Sequence, residues 1–91
     1  MEFEWDATKA ALNLRKHGIS FAEATTVFND PLSITVDDPA HSENEDRYLI
    51  IGMSNRSRLL IVSHQERGGR TRLISARELT AREREAYERE R

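Results

Sequence analysis

Between positions 47 and 77 the chain sets seven arginines (Arg47, Arg56, Arg58, Arg67, Arg70, Arg72 and Arg77) against one acid, Glu66, a net +6. The same stretch alternates apolar and polar residues with the period of β-strands. Residues 1–46 carry three bases (Lys9, Arg15, Lys16) against ten acids, and residues 78–91 carry four against five, so the formal charge of −2 conceals a strong sorting by position. An arginine fork donates two parallel hydrogen bonds to phosphate and keeps its proton at any working pH. Arginines concentrated on strands therefore point to a sheet that contacts RNA or DNA. The expected field is a dipole, with the acidic half turned away from the ligand and Arg58, Arg67, Arg72 and Arg77 gathered on one face.

Ninety-one residues allow one domain, 1–91, with a modest core. The chain is 33% charged and 37% hydrophobic, and its apolar residues are periodic, which excludes a disordered polyelectrolyte. With no cysteine there is no disulfide, no thiolate nucleophile and no cysteine-held zinc, and a reducing compartment is the simple reading. Met-Glu-Phe-Glu-Trp-Asp is acidic and without a long apolar run, unlike a signal peptide or membrane span. The chain is expected to be cytoplasmic and complete.

Glu2 to Trp5 alternates as a short half-buried strand. Asp6 is placed to cap a helix over 7–16, with Ala7, Ala10, Ala11 and Leu14 on its buried face and Gly18 ending it. Ser20-Phe21-Ala22-Glu23 has capping-box spacing, and Phe21, Ala24, Val27 and Phe28 give a second helix its stripe before Asn29-Asp30-Pro31 stops it. Ile34 and Val36 mark a strand, and residues 37–46 a polar loop. Strands over 47–54 and 58–67 follow, and Gly68-Gly69 is a two-residue hairpin leading into a last strand, 70–76. Thr80 and Glu83 repeat the capping-box spacing and open a C-terminal helix rich in Arg and Glu, with Leu79, Ala81, Ala86 and Tyr87 to bury. This order predicts an α+β domain: a short N-terminal strand, two helices, an antiparallel meander of about four strands and a C-terminal helix. The helices are expected on one face, leaving the other open to a ligand.

Several blocks together resemble the BrnT-type toxins of bacterial type II toxin–antitoxin systems. They are Phe3-Glu4-Trp5-Asp6 with Lys9, Asn13 through Phe21 (Asn-Leu-Arg-Lys-His-Gly-Ile-Ser-Phe), Val27-Phe28-Asn29-Asp30-Pro31, His41-Ser42, Glu45-Asp46-Arg47, Ile51-Gly52-Met53-Ser54, Ile74-Ser75-Ala76-Arg77, Glu83-Arg84 and Tyr87. The resemblance runs in order along nearly the whole chain. It implies a RelE-like fold, an RNA-cleaving activity that blocks translation, and a cognate antitoxin with a DNA-binding ribbon-helix-helix-type domain. It also admits a heterotetramer assembled through antitoxin dimerisation. One departure is visible: Ser57 precedes Arg58 where the family usually has glycine, which leaves the orientation of Arg58 open.

Metal-free RNA cleavage needs a group to deprotonate the 2′-hydroxyl, a group to protonate the leaving 5′-oxygen, and cations to stabilise the charged phosphorus centre. Arg67 and Arg77, at strand ends beside the open face, suit the last role. Arg58 and Arg72 are placed to flank the same surface and bind RNA, while Arg47 and Arg70 are read as backbone anchors. His64 shares a face with Leu60 and Val62, so it is either a proton carrier or a buried structural histidine. His17 follows Lys16 at a helix C-terminus; a turn-capping role competes with catalysis there, and the resemblance favours function for both residues. His41 and Glu43 lie in the polar loop, where a solvated role competes with acid–base chemistry. Tyr87 is either an RNA contact or the anchor of the last helix. Trp5 is read as core rather than as a base-stacking platform. Lys9 joins the RNA-binding set through its signature block.

Histidines at 17, 41 and 64 have no metal-ligand spacing, and there is no Gly-rich phosphate loop, so neither metal nor cofactor is expected. The competing reading is a non-catalytic nucleic-acid-binding or regulatory module using the same arginine sheet. A protein-interaction domain answering an acidic partner is a third.

Overall fold

The structure, a computed structural model, describes residues 1–40 and 46–90. In chain order the elements are β1 (Phe3–Glu4), α1 (Ala7–His17), α2 (Phe21–Thr26), a 3-10 turn (Val27–Asn29), β2 (Ile34–Asp37), β3 (Arg47–Met53), β4 (Leu59–Arg67), β5 (Arg70–Glu78) and α3 (Ala81–Glu90). They form one five-stranded sheet in the order β1-β5-β4-β3-β2, in which only β1 runs parallel to its neighbour. The class is α+β, as expected. His41 and Glu43 lie outside the described residues.

Local signals fix the element ends. The Asp6 carboxylate accepts the N–H groups of Thr8 (2.8 Å) and Lys9 (3.0 Å), and Gly18 closes α1 in the left-handed conformation. Gly68 and Gly69 take φ of 59° and 80°, two consecutive positive values that β4 and β5 need for a tight turn matching their twist. Ser57 takes φ 60°. That is the backbone a glycine would favour, and it occurs where the resembled sequences usually have one.

Two sequence expectations for the helices are corrected. Ala7, Ala11 and Leu14 are exposed; the inward face of α1 is Ala10, Asn13 and His17, spaced as three consecutive turns. The reason lies at the sheet edge. β1 is two residues long and pairs only with Thr71 and Arg72, so β5 runs on without a neighbour. Asn13 supplies one: its Nδ2 donates to the Ala76 carbonyl (2.8 Å) and its Oδ1 accepts the Ala76 N–H (3.0 Å), while Nδ2 also reaches the Ile19 carbonyl (3.0 Å). The second helix is also shorter than its stripe implied, tightening into the 3-10 turn at Val27. Ser20 caps α2, but Glu23 does not close the box; its carboxylate turns instead to Arg58 and Ser54.

The main core lies under α1 and α2, where Ile19, Phe21, Ala24 and Val27 pack on Ile50, Leu60, Val62, Leu73 and Ala76. Gly52 is where β3 passes the 3-10 turn: a Cβ there would come within 2.9 Å of Ser33 Cβ and 3.1 Å of Val27 Cγ1. The opposite face is not wholly open, contrary to expectation. α3 folds back over one end of it, burying Tyr87 and Leu79 against Leu59 with Ile34, Ile51 and Ile61 alongside. Trp5, expected in the core, is 39% exposed, its ring set edge-to-face with Phe21.

Replacing Asn13 by Ala strands two backbone groups of a buried strand, and is expected to lower unfolding free energy by about 2–4 kcal/mol. Urea unfolding checks this. Asn13→Asp, which sets a carboxylate against two carbonyls, is expected to fall further.

Candidate nucleic-acid interface

Residues paired across a ladder point to the same face, so the register maps the side of the sheet turned away from α1 and α2. Arg67 and Arg70 sit opposite each other beside the glycine turn. Next comes a row of Arg47, Gln65, Arg72 and Glu4, then Leu49, Ser63 and Ser75, then Ile51, Ile61 and Arg77. Strict alternation would put Arg72 and Arg77 on opposite faces, being five residues apart. The register shifts between Ser63 and His64, where Ser63 faces Ser75 and His64 faces Leu73, leaving Ile74 unmatched. This bulge reverses the alternation and brings Arg67, Arg72 and Arg77 onto one surface.

Arg58 is not on that surface. It precedes Leu59 on the helix-covered side and donates to both carboxylate oxygens of Glu23, through Nε at 2.9 Å and through Nη2, with a further bond to the Gly18 carbonyl (3.3 Å). Ser54 Oγ donates to the same carboxylate at 2.6 Å. Glu23 is buried, and these donors, Arg58 first, hold its pKa below the ordinary range against the opposing effect of burial. Arg58 is thus the clasp between α2 and the β3–β4 turn. His64 is 4% exposed, its ring against Phe28 and Tyr48 on the core face, and burial lowers its pKa. Tyr87 is buried and its hydroxyl donates to the Leu32 carbonyl at 3.0 Å, the anchoring role. Lys9 is exposed on α1.

Lys16 and His17 line a cleft of about 440 Å³ between the last turn of α1 and β5, together with Leu12, Asn13, Arg15 and Ser75. Ser75 belongs to both features: it lines this cleft and stands in the sheet row between Arg72 and Arg77. Neither Ser75 nor the neutral Gln65 and Ser63 among the arginines is expected on this surface from the sequence. Ser75 had a signal, its place in Ile-Ser-Ala-Arg; the other two had none.

The expectation that the acidic half faces away is overturned. Arg70 pairs with Glu2 (3.2 Å) and Glu4 (3.5 Å), and Arg72 with Glu4 (3.2 Å), because β1 lies beside β5. Arg77 makes a two-bond clamp on Glu83, Nη1 to Oε1 at 2.8 Å and Nη2 to Oε2 at 2.9 Å. Glu83 also closes the cap of α3, accepting the Thr80 N–H at 2.9 Å while Thr80 Oγ1 accepts the Glu83 N–H at 3.2 Å. The Arg77 bonds, then the Thr80 N–H, hold the Glu83 carboxyl at about 2, and the carboxylate in turn raises the Arg77 pKa. Among the described residues no group of three or more His, Asp or Glu side chains is arranged to hold a metal ion, and no helix is long and apolar enough to cross a membrane.

A small α+β domain with an arginine-bearing, partly uncovered sheet and a basic cleft at its edge presents a surface suited to an anionic partner. The family can be given outright: residues 5–83 match the model of the ribonuclease toxin BrnT of type II toxin–antitoxin systems, and the chain is a member of that family. Its fold is similar to the crystal structure of the Brucella abortus ribonuclease toxin BrnT, with a TM-score of 0.70 and 25% identity over 88% of this chain and 97% of that one. No curated protein matches the sequence.

Both Glu23 and Glu83 have folded-state pKa values below those of the unfolded chain, so the unfolded state takes up protons first as pH falls. Their stabilisation is complete above the ordinary carboxylate pKa of 4.5 and, for Glu83, is lost as pH drops from there toward about 2. The Tm difference between wild type and Glu83→Gln is therefore expected to be present at pH 7 and to shrink steadily below pH 4.5, as followed by circular dichroism.

Proposed function

We propose that this chain is the toxin of a type II toxin–antitoxin pair, an endoribonuclease that works without a metal, cuts RNA in the cytoplasm and so blocks translation. Family membership supports the ribonuclease chemistry. The observation that carries the placement of the site is Ser75, which joins the Lys16–His17 cleft to the sheet row ending in Arg77. RNA lying along β5 would set its phosphates over Arg67, Arg72 and Arg77, with a scissile group at Ser75 within the reach of α1's last turn.

In the reaction, a 2′-hydroxyl loses its proton and its oxygen attacks the adjacent phosphorus. The bond to the 5′-oxygen breaks, and that oxygen takes a proton. The products are a 2′,3′-cyclic phosphate and a 5′-hydroxyl. His17 and Lys16 are the proton carriers in this reading, and Arg77 and Arg67 stabilise the extra negative charge on the phosphoryl oxygens. Lys9 and Arg72 bind flanking phosphates. His64, Arg58 and Tyr87 act by holding the scaffold. A cognate antitoxin of ribbon-helix-helix type would cover this surface partly by charge, and its own dimerisation would yield a heterotetramer.

Cleavage of a defined RNA in EDTA, with end-group analysis, tests the reading. Wild type is expected to yield 2′,3′-cyclic ends. Arg77→Ala should lose about 10²–10³-fold in rate, as expected for removing a group that stabilises transition-state charge. His17→Ala should lose about 10²–10⁴-fold, the range of general acid–base catalysis. Both variants should keep the wild-type circular dichroism spectrum. Retained RNA binding without any cleavage by wild type would favour the binding-module alternative or a ribosome-dependent enzyme.

A further inference from the structure

On the sheet face turned away from α1 and α2, Arg77 has its fork filled. Both of its terminal nitrogens are bonded to the two oxygens of Glu83. A carboxylate and a phosphodiester present the same pair of anionic oxygens to a guanidinium, so one such fork serves one of them at a time. The two side chains are each 39% exposed, so exchange at this point requires no opening of the core.

Accepting Arg77 as a phosphate contact, we propose that Glu83 occupies the phosphate seat of Arg77 in the free protein, and that RNA engages the site by displacing this carboxylate and loosening the first turn of α3. The helix is built for such a local release. Its hold on the sheet lies four residues further on, where Tyr87 is buried and bonded to the Leu32 carbonyl. Glu83, by contrast, is fastened by Arg77 and by the cap at Thr80. Glu83 and Tyr87 line the same groove beside Ile51, Ile61 and Leu79, so the anchor keeps α3 in register while its start gives way. The other pairs on this face differ in kind. Arg72 has one bond to Glu4, and Arg70 shares Glu4 with it and reaches Glu2 just before β1; Glu4 cannot withdraw without unpairing β1.

The test is the affinity of a short RNA made uncleavable by 2′-O-methylation, measured by fluorescence anisotropy on the full chain. The variants are Glu83→Gln, Arg77→Ala, the double variant, and Glu85→Gln as a control for loss of a remote helix charge. Gln at position 83 can still accept the Thr80 N–H, so the cap survives while the competing charge is gone. Glu83→Gln is expected to tighten binding roughly two- to fivefold, the scale of an exposed ion pair. The gain should vanish in the Arg77→Ala background and be absent in Glu85→Gln. Unchanged or weaker binding by Glu83→Gln, with Arg77→Ala still defective, would overturn the displacement while leaving Arg77 a phosphate contact. A gain that persists without Arg77 would overturn it as well. Wild-type affinity in Arg77→Ala would instead remove the reading on which the proposal rests. In the wild-type protein, hydrogen exchange of the amides from Thr80 to Glu85 should accelerate when the RNA binds; unchanged or slower exchange there counts against displacement even if Glu83→Gln does not fold.

Discussion

A strand that outruns its neighbour leaves backbone donors and acceptors that cannot be buried unpaired without a cost of about 1–3 kcal/mol each. β5 does this after Arg72, and the side-chain amide of Asn13, with one donor group and one acceptor, takes the place of the missing strand at Ala76. Much follows from that one substitution of side chain for backbone. It sets the rotation of α1, so Ala10 and His17 turn inward while Leu12 and Leu14 face solvent. It ties the end of α1 to the loop through the Ile19 carbonyl. It also brings Lys16 and His17 beside Ser75, making a cleft where a longer β1 would have left a plain strand pair.

The bulge opposite Ser63 and His64 does for the sheet what Asn13 does for its edge. A single unmatched residue, Ile74, exchanges the two faces of β5 over half its length. Below it Leu73 and Thr71 face the core with Arg72 outward, and above it Ala76 faces the core with Arg77 outward. One strand thereby supplies core residues at both ends and cations to one surface, which a uniform period of two would forbid.

What the chain alone disclosed was what neighbours in sequence decide. Asp6, Gly18, Ser20, the Gly68-Gly69 turn and the Thr80–Glu83 cap act within a few residues, and each sits where it was expected. The rotation of α1 was not legible, because four apolar candidates compete for its inner face and the winner is polar. Glu23 fits a capping box by spacing, yet a charge-assisted partner arrives from 35 residues away and takes its carboxylate. The bulge leaves no mark in Leu73-Ile74-Ser75-Ala76, which reads equally well in either register. Strand placement was enough to expect Arg67, Arg72 and Arg77 on one face, where they lie. It misplaced Arg58, whose side of the sheet depends on a turn with Ser57 at positive φ.

The charge sorting that dominates the sequence acquires a different meaning in three dimensions. Acids from the N-terminal strand and the last helix are not held away from the arginines; they lie on them, at Arg70, Arg72 and Arg77. Pairs this open to solvent contribute about 0–1 kcal/mol, so they neutralise the surface without committing it. A polyanion carrying many phosphates competes with such pairs one at a time, and each exchange replaces one carboxylate contact by one phosphate contact. The Arg58–Glu23 pair is not exchangeable in this way, since its carboxylate is enclosed and shared with Ser54. The division between exposed and enclosed acids, rather than total charge, separates the arginines available to a ligand from the one that holds the scaffold. A formal charge of −2 is therefore compatible with a surface that binds RNA.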